Sequence, residues 1–303
     1  MVTSDFAPIV LFTYNRLWHT QQTIEALKNN ELAINSNLFI FSDGSKENDI
    51  ESVSQVRAYL KSINGFNSVT IIERSCNYGL AKNIISGVSE VINKFGKVIV
   101  LEDDIVTSKG FLRYMNGALY MYQKELNVGC IHSWNYHLNT SHYKESTFFL
   151  KGGDCWGWAT WERSWNLFNP DAPELLSHIK RNHLQYQFNR RGTHQYVKML
   201  EDQIAGKNDS WAIRWHASLF LEDKYCLHPT NQIVRNIGLD NSGIHCEDNQ
   251  IYQEPIDFID LRKIPICDST WFYRAYLDYI IHTYPKKNIC RISLLFLKKL
   301  FLI

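Results

Sequence analysis

A mostly parallel, three-layer α/β sheet is the fold class this sequence predicts. Three observations predict it: apolar, β-branched runs recur along the first hundred residues, a helical stretch follows each of the first three, and polar loops fall at the carboxyl ends of the runs.

Residues 9–14 read as a buried strand, and Asn15-Arg16 leads into a helix from about residue 18 to 28. Residues 38–41 are strand-like, Ser42-Asp-Gly-Ser45 is a turn, and Val53, Val56, Leu60 and Ile63 recur at helical spacing. A third strand over residues 69–72 is followed by Asn77-Tyr-Gly-Leu80 and by a helix bearing Ile84, Ile85, Val88, Val91 and Ile92. The fourth strand, residues 98–101, ends on Glu102-Asp-Asp104. Crossovers between parallel strands are right-handed, and ligands of such sheets bind beyond the carboxyl ends of the strands. The loops Tyr14-Asn15-Arg16, Ser42-Asp43-Gly44, Asn77-Tyr78-Gly79 and Glu102-Asp103-Asp104 are therefore expected to share one pocket.

The three consecutive carboxylates repel one another. They are expensive beside an apolar core unless a cation or water reaches them. Hard oxygen ligands suit Mg²⁺ or Mn²⁺, which take their remaining ligands from water and substrate phosphates. The alternative is a solvated acidic turn. No GxGxxG follows the first strand and no GxxxxGK[ST] occurs anywhere, so a classical dinucleotide site and a P-loop are both disfavoured. A metal held by Asp104 would then supply the counter-charge for a bound phosphate.

With 303 residues, 45% hydrophobic and 21% charged, the chain reads as a soluble globular protein with a substantial core. Lys plus Arg number 32 against 31 for Asp plus Glu, so no overall imbalance draws it to nucleic acid. The seven cysteines include no CxxC pair and are odd in number, which suggests neither a disulfide framework nor a zinc site and fits a reducing cytosol. The first seven residues carry Asp5 and no basic stretch, so no signal peptide is expected. The sequons Asn139-Thr-Ser141 and Asn208-Asp-Ser210 accordingly read as chance.

Farther along, a helix is expected near residues 111–124 and strands over 128–131 and 147–151, the last ending at Gly152-Gly153. In Trp156-Gly-Trp-Ala-Thr-Trp161, positions 158 and 161 share a helical face with Trp165, the pattern of a core helix; one or two of the rings could instead line a sugar site. Residues 171–224 read as helical, 225–235 as a return to the sheet, and 238–243 as a Gly-flanked loop leading to His245, either a structural histidine or a group over phosphates. Residues 250–285 show no site signal. The tail, 286–303, carries Lys286, Lys287, Arg291, Lys298 and Lys299 without an acid. Its apolar stretch is shorter than the ~20 residues that span a bilayer, but it can lie on an anionic membrane face or pack on the core or a partner.

Six features in order, Thr13-Tyr-Asn-Arg16, Ser42-Asp-Gly44, Gly79-Leu-Ala-Lys-Asn83, Glu102-Asp-Asp104, Trp156-Gly-Trp158 and Asp209-Ser-Trp211, resemble those of GT-A fold nucleotide-sugar glycosyltransferases. The chain looks most like the inverting β-1,2-N-acetylglucosaminyltransferase I family and its bacterial relatives in polysaccharide assembly. The resemblance implies a GT-A type α/β/α sandwich with a helical C-terminal region. Residues 1–248 would be catalytic, with a nucleotide-binding half (1–107) and an acceptor-binding half (108–248); residues 249–303 would be an extension ending in a basic apolar helix, 286–303.

By the same resemblance Thr13, Tyr14, Arg16, Asp43, Lys82 and Asn83 bind the donor's nucleotide part, and Glu102 and Asp103 face its sugar and ribose. Asp104 binds Mn²⁺ or Mg²⁺, with His245 as a further candidate ligand, and Asp209 is the catalytic base. Trp156, Trp158 and Trp211 serve acceptor or sugar. Two departures stand out: Asn208-Asp209-Ser210-Trp211 replaces the family's Trp-Asp-Asp-Trp, and Asn15 replaces an aspartate of its first loop. The implied partners are a nucleotide-sugar donor, UDP-sugar foremost, and a glycan or lipid-linked acceptor, with the protein in the cytoplasm or on the inner face of the cytoplasmic membrane. Two other classes compete: a metal-dependent sugar nucleotidyltransferase, which would need a Gly-rich basic loop where Thr13-Tyr-Asn-Arg16 stands, and a non-catalytic carbohydrate-binding protein, against which the acidic triplet and Asp209 argue.

Overall fold

The computed structural model describes residues 6–136, 138, 140, 143–240 and 255–283. The first half runs β1 (Ile9–Thr13), α1 (Leu17–Lys28), β2 (Asn37–Ser42), α2 (Ile50–Leu60), β3 (Ser68–Glu73), α3 (Leu80–Phe95), β4 (Lys97–Glu102) and β5 (Ile105–Thr107). Then come α4 (Phe111–Met121), β6 (Val128–His132), β7 (Thr147–Lys151), β8 (Trp158–Trp161) and α5 (Glu162–Trp165). Last are α6 (Ala172–Arg181), α7 (Gln185–Phe188), α8 (Tyr196–Ile204), α9 (Trp211–Leu221), β9 (Tyr225–Pro229), β10 (Val234–Asn236) and α10 (Thr270–Thr283).

The central sheet has eight strands in the order β3-β2-β1-β4-β8-β6-β9-β7. The four expected strands pair in parallel, as do β6 and β9, whereas β8 is antiparallel to both its neighbours and β7 to β9. β1 is buried along its whole length because both faces of the sheet are covered, which is why it reads as an unbroken apolar run.

Alternation along the strands sorts the core into two layers. Ile9, Leu11, Leu38, Ile40, Ile99 and Leu101 pack with Ile24 and Leu27 of α1, Val56 and Leu60 of α2, and Phe111 and Met115 of α4. The intervening residues Val10, Phe12, Phe41, Val98 and Val100 pack with Ile84, Val88, Val91 and Ile92 of α3 and with Trp211, Trp215 and Leu219 of α9. Each such side chain contributes roughly 1.5–3 kcal/mol through burial.

The tryptophan run departs from the helical reading. Residues 158–161 form a strand that fills the gap between β4 and β6, with Ala159 opposite both Ile99 and Ile131. Three residues apart on a strand, Trp158 and Trp161 point to opposite faces and enter different core layers. Strand pairing has overridden the apparent helical spacing. β5 and α10 are elements the sequence did not single out, and β10, at the end of the expected 225–235 segment, pairs with β5 in a separate two-stranded antiparallel ribbon. His245, Asn139 of the first sequon, part of the 238–243 loop and the 286–303 tail lie outside the described residues. Among the described residues no helix is long and apolar enough to cross a membrane.

Candidate active site

The loops at the carboxyl ends of β1 to β4 are tied to one another by their own polar groups. Asp43, directly after β2, is 5% exposed. Its Oδ1 accepts the N–H groups of Gly44 and Tyr78, both at 2.8 Å, and its Oδ2 those of Gly79 at 3.0 Å and Asn77 Nδ2 at 3.3 Å. With each oxygen accepting twice, Asp43 acts as a strut between the second and third loops. Gly44 is required there, since a Cβ would lie 2.2 Å from the backbone carbon of Cys76. Arg57 of α2 closes the same junction by donating to the carbonyls of Asp43 at 3.1 Å and Arg74 at 2.7 Å.

Thr13 ends β1 with a buried Oγ1 that makes no hydrogen bond among the described residues. Tyr14 OH and Asn15 Nδ2 donate to the two oxygens of Asp49, at 2.7 and 2.9 Å. Those bonds hold the Asp49 carboxyl below its usual range, and burial with the Asp49 bond pushes the Tyr14 phenol up. At the start of α3, Asn83 is buried and accepts from Arg74 Nε at 3.1 Å, while Lys82 Nζ lies 4.3 Å and Arg74 Cζ 5.0 Å from the Tyr78 ring centre. Arg74 and Arg57, which position these groups, carried no motif in the sequence.

The acidic triplet leaves β4 into the tight turn before β5. Arg16, at the N-terminus of α1, donates through Nη2 to Asp103 Oδ1 and to Asp104 Oδ2, the latter at 2.8 Å. One guanidinium does not settle three carboxylates. Burial, then the charges of Asp104 and Asp103, push the Glu102 carboxyl up to about 8, against a smaller pull from Arg16. Burial raises Asp103 to about 6, with Arg16 opposing and Asp104 adding to the rise. Residues 237–240 pass over this group: Ile237 N–H donates to the Asp104 carbonyl at 2.9 Å, and Asp240 Oδ2 lies 3.0 Å from His19 Nε2.

Asp209 precedes Ser210, whose Oγ caps α9 by accepting from Ile213 N at 3.2 Å. Its side chain is 65% exposed, with Oδ1 3.4 Å from Arg214 Nη2. Asp209 Oδ2 is 3.9 Å from where a Cβ on Gly79 would stand, which places it at the same end of the sheet as the four loops.

The tryptophans divide. Trp156 is half-buried, edge-on to Trp134 with ring centres 4.9 Å apart. Trp158 and Trp211 are only 1% and 2% exposed, packed on each other at 5.3 Å and against Trp165 and Trp215. Their expected sugar-stacking role is corrected accordingly: the ring faces are spent in the core.

A second charged group, missed in the sequence because its members are scattered, lies behind β6 and β9. Asp154 accepts from Tyr136 OH and from Cys155 N at 2.9 Å, and stands 3.5 Å from both Arg190 Nη2 and His132 Nε2. His132 Nδ1 and His228 Nδ1 are 3.2 Å apart. Burial would raise Asp154, but His132 and Arg190 hold it well below the usual carboxylate range. Burial also lowers His132 and His228.

His132, Asp154 and His228 bring ligand atoms within 4.8 Å of one another and could in that sense hold a metal. Proton positions oppose it. Trp156 N–H donates to His132 Nε2 at 3.0 Å, so a neutral His132 carries its proton on Nδ1, the atom facing His228. Arg190 already supplies the positive charge.

The family model of glycosyl transferase family 2 matches residues 9–187, from β1 through most of α7, and stops short of Asp209. Among curated proteins none matches. Two solved structures show distant likeness. TarS of S. aureus has 13% identity and a TM-score of 0.30, over 42% of this chain and 21% of that one. The mannosyltransferase PcManGT from Pyrobaculum calidifontis, in complex with GDP-Man and Mn²⁺, has 11% identity and a TM-score of 0.38, over 73% of this chain and 70% of that one. The chain thus spans about a fifth of the length of TarS.

Proposed function

The chain belongs to glycosyl transferase family 2, with a GT-A-like fold, and is a glycosyltransferase; from that premise we propose a finer activity. It moves a sugar, with inversion, from a nucleoside-diphosphate donor, UDP-sugar foremost, to a hydroxyl of a glycan or lipid-linked glycan, with the help of Mn²⁺ or Mg²⁺, in cell-surface polysaccharide synthesis. The observation that carries this reading is the convergence at one end of the sheet of the acidic triplet with Arg16 and of Asp209 beside Gly79.

The donor set fits a divalent cation. Glu102 and Asp103 are held up to about 8 and about 6 by burial and by crowding of like charge, which a second cation would relieve. Asp104, with Asp103 beside it, would hold the ion, whose chemistry is to stabilise charge on the departing nucleoside diphosphate. Thr13, with its unsatisfied Oγ1, and Tyr14 line the nucleoside end; Arg16 is within reach of the diphosphate. Lys82 and Asn83 bound the site from α3, and Asp43 acts through the loop it braces. Asp209 Oδ2 takes the proton of the acceptor hydroxyl as that oxygen attacks the anomeric carbon from the face opposite the leaving group. Trp156 is the ring left to meet a sugar. The basic tail supports an acceptor at an anionic membrane surface.

The test is a thermal-shift screen of nucleotide sugars with and without Mn²⁺, in which one donor raises the melting temperature only with the metal present. Asp209→Asn in that donor's assay should lose about 10²–10⁴-fold in transfer with the donor shift retained. Near-normal turnover of this variant would remove Asp209 from the role of base.

A further inference from the structure

We propose that Arg16 is a resident counter-cation of the metal site: in the ligand-free protein its guanidinium competes with the divalent ion for Asp103 and Asp104, and the incoming diphosphate draws it away. This deepens the metal-dependent reading above and rests on it.

A single nitrogen, Nη2, bridges Asp103 Oδ1 and Asp104 Oδ2. Gly238 packs against both partners: a Cβ there would stand 2.2 Å from Asp104 Oδ2 and 3.0 Å from Arg16 Nη1. The Asp104 carboxylate is therefore crowded by both the guanidinium and the Gly238 main chain. A divalent ion approaching Oδ2 meets a positive charge already hydrogen-bonded there, and two cations sharing one carboxylate oxygen repel.

The guanidinium can leave without disturbing the fold. The Arg16 backbone is pinned, its carbonyl accepting Thr20 N at 3.0 Å and Thr20 Oγ1 at 2.8 Å, so rotation of the side chain alone suffices. A diphosphate offers the forked geometry that a guanidinium binds best. Arg16 thus passes from carboxylates to phosphate as the metal takes its place. Metal and nucleotide then strengthen each other's binding by the same factor.

The experiment is calorimetric titration of Mn²⁺ into the full chain without nucleotide, repeated with UDP present and with Mn²⁺–UDP complexation in buffer measured separately. Wild type should bind Mn²⁺ weakly alone and more tightly with UDP, by a factor within the about 5- to 150-fold range of ordinary coupling. Arg16→Gln should bind Mn²⁺ alone about tenfold more tightly than wild type. Equal affinities of the two proteins for Mn²⁺ alone would overturn the proposal and leave the metal site standing. Should Arg16→Gln not fold, as judged by circular dichroism, Arg16→Met removes the charge and keeps the aliphatic stem. It should likewise bind Mn²⁺ alone more tightly than wild type, and no gain there is equally fatal. If no protein binds Mn²⁺ even with UDP, the counter-cation and the metal-dependent reading fall together.

Discussion

Two Arg–Asp groupings of similar chemistry have opposite fates in this molecule. Arg16 faces Asp103 and Asp104 at the open end of the sheet, with side chains 21%, 7% and 17% exposed. Arg190 faces Asp154 behind the sheet, itself 2% exposed, with its Cζ 5.4, 5.7 and 5.8 Å from the ring centres of Tyr136, Tyr196 and Phe272. At the first site one cation serves three carboxylates, and two of them are pushed up. At the second, one carboxylate is shared by an arginine and a histidine and is pushed down. The local charge balance therefore decides which group has room for another cation: the open site is short of positive charge, and the sealed one is not.

Breaking the sealed pair should have the largest effect on stability. Asp154→Asn or Arg190→Met leaves a buried charge without its partner and should cost about 3–5 kcal/mol, whereas Arg16→Gln, where Arg16 and Asp104 keep 21% and 17% of their side chains exposed, should cost less. Urea unfolding of the three variants measures both, and a reversed order would abolish the distinction between staple and exchangeable pair.

Next in size is acid sensitivity. Burial, then the nearby Arg190 charge, lowers His216 from its ordinary value near 6.5 to about 4. Its folded pKa lies below its unfolded one, so the unfolded chain binds the extra proton, and stability drops as pH falls from about 6.5 through 4, by about 3 kcal/mol from this residue. The raised carboxylates Glu102 and Asp103 have the opposite sign, weakening the ligand-free fold as pH climbs from about 4 toward 8. Comparing the pH dependence of melting temperature in wild type and His216→Gln separates the two, since only the acid-side slope should flatten in the variant. The smallest effect is expected at the rim of the open site: Tyr14→Phe removes the bond to Asp49 and should cost about 0.5–1.5 kcal/mol by urea unfolding.

How much of this was legible depends on the range of the interaction. β1, β2, β3 and β4 announced themselves because strands buried on both faces need unbroken apolar runs, and the loop residues Tyr14, Asp43, Asn77 and Asp104 followed from where such strands end. The tryptophan run misled, since Trp158, Trp161 and Trp165 happen to satisfy a helical period while β4 and β6 hold two of them in a strand. β5 is three residues long and exists through a partner near residue 235, which no local pattern reports. The Arg190 group joins positions 132, 154, 190 and 228, which no local pattern links.

β8 lies between β4 and β6, and β10 borders β5, so strands from beyond residue 107 complete the pairing of strands before it. A fragment ending at residue 107 would leave the Lys97-to-Val100 edge of β4 bare, an invitation to strand-on-strand aggregation. The segments 1–107 and 108–248, which read as two halves in the sequence, are woven together, and swapping the first between relatives would have to carry β8 and β10 along with it.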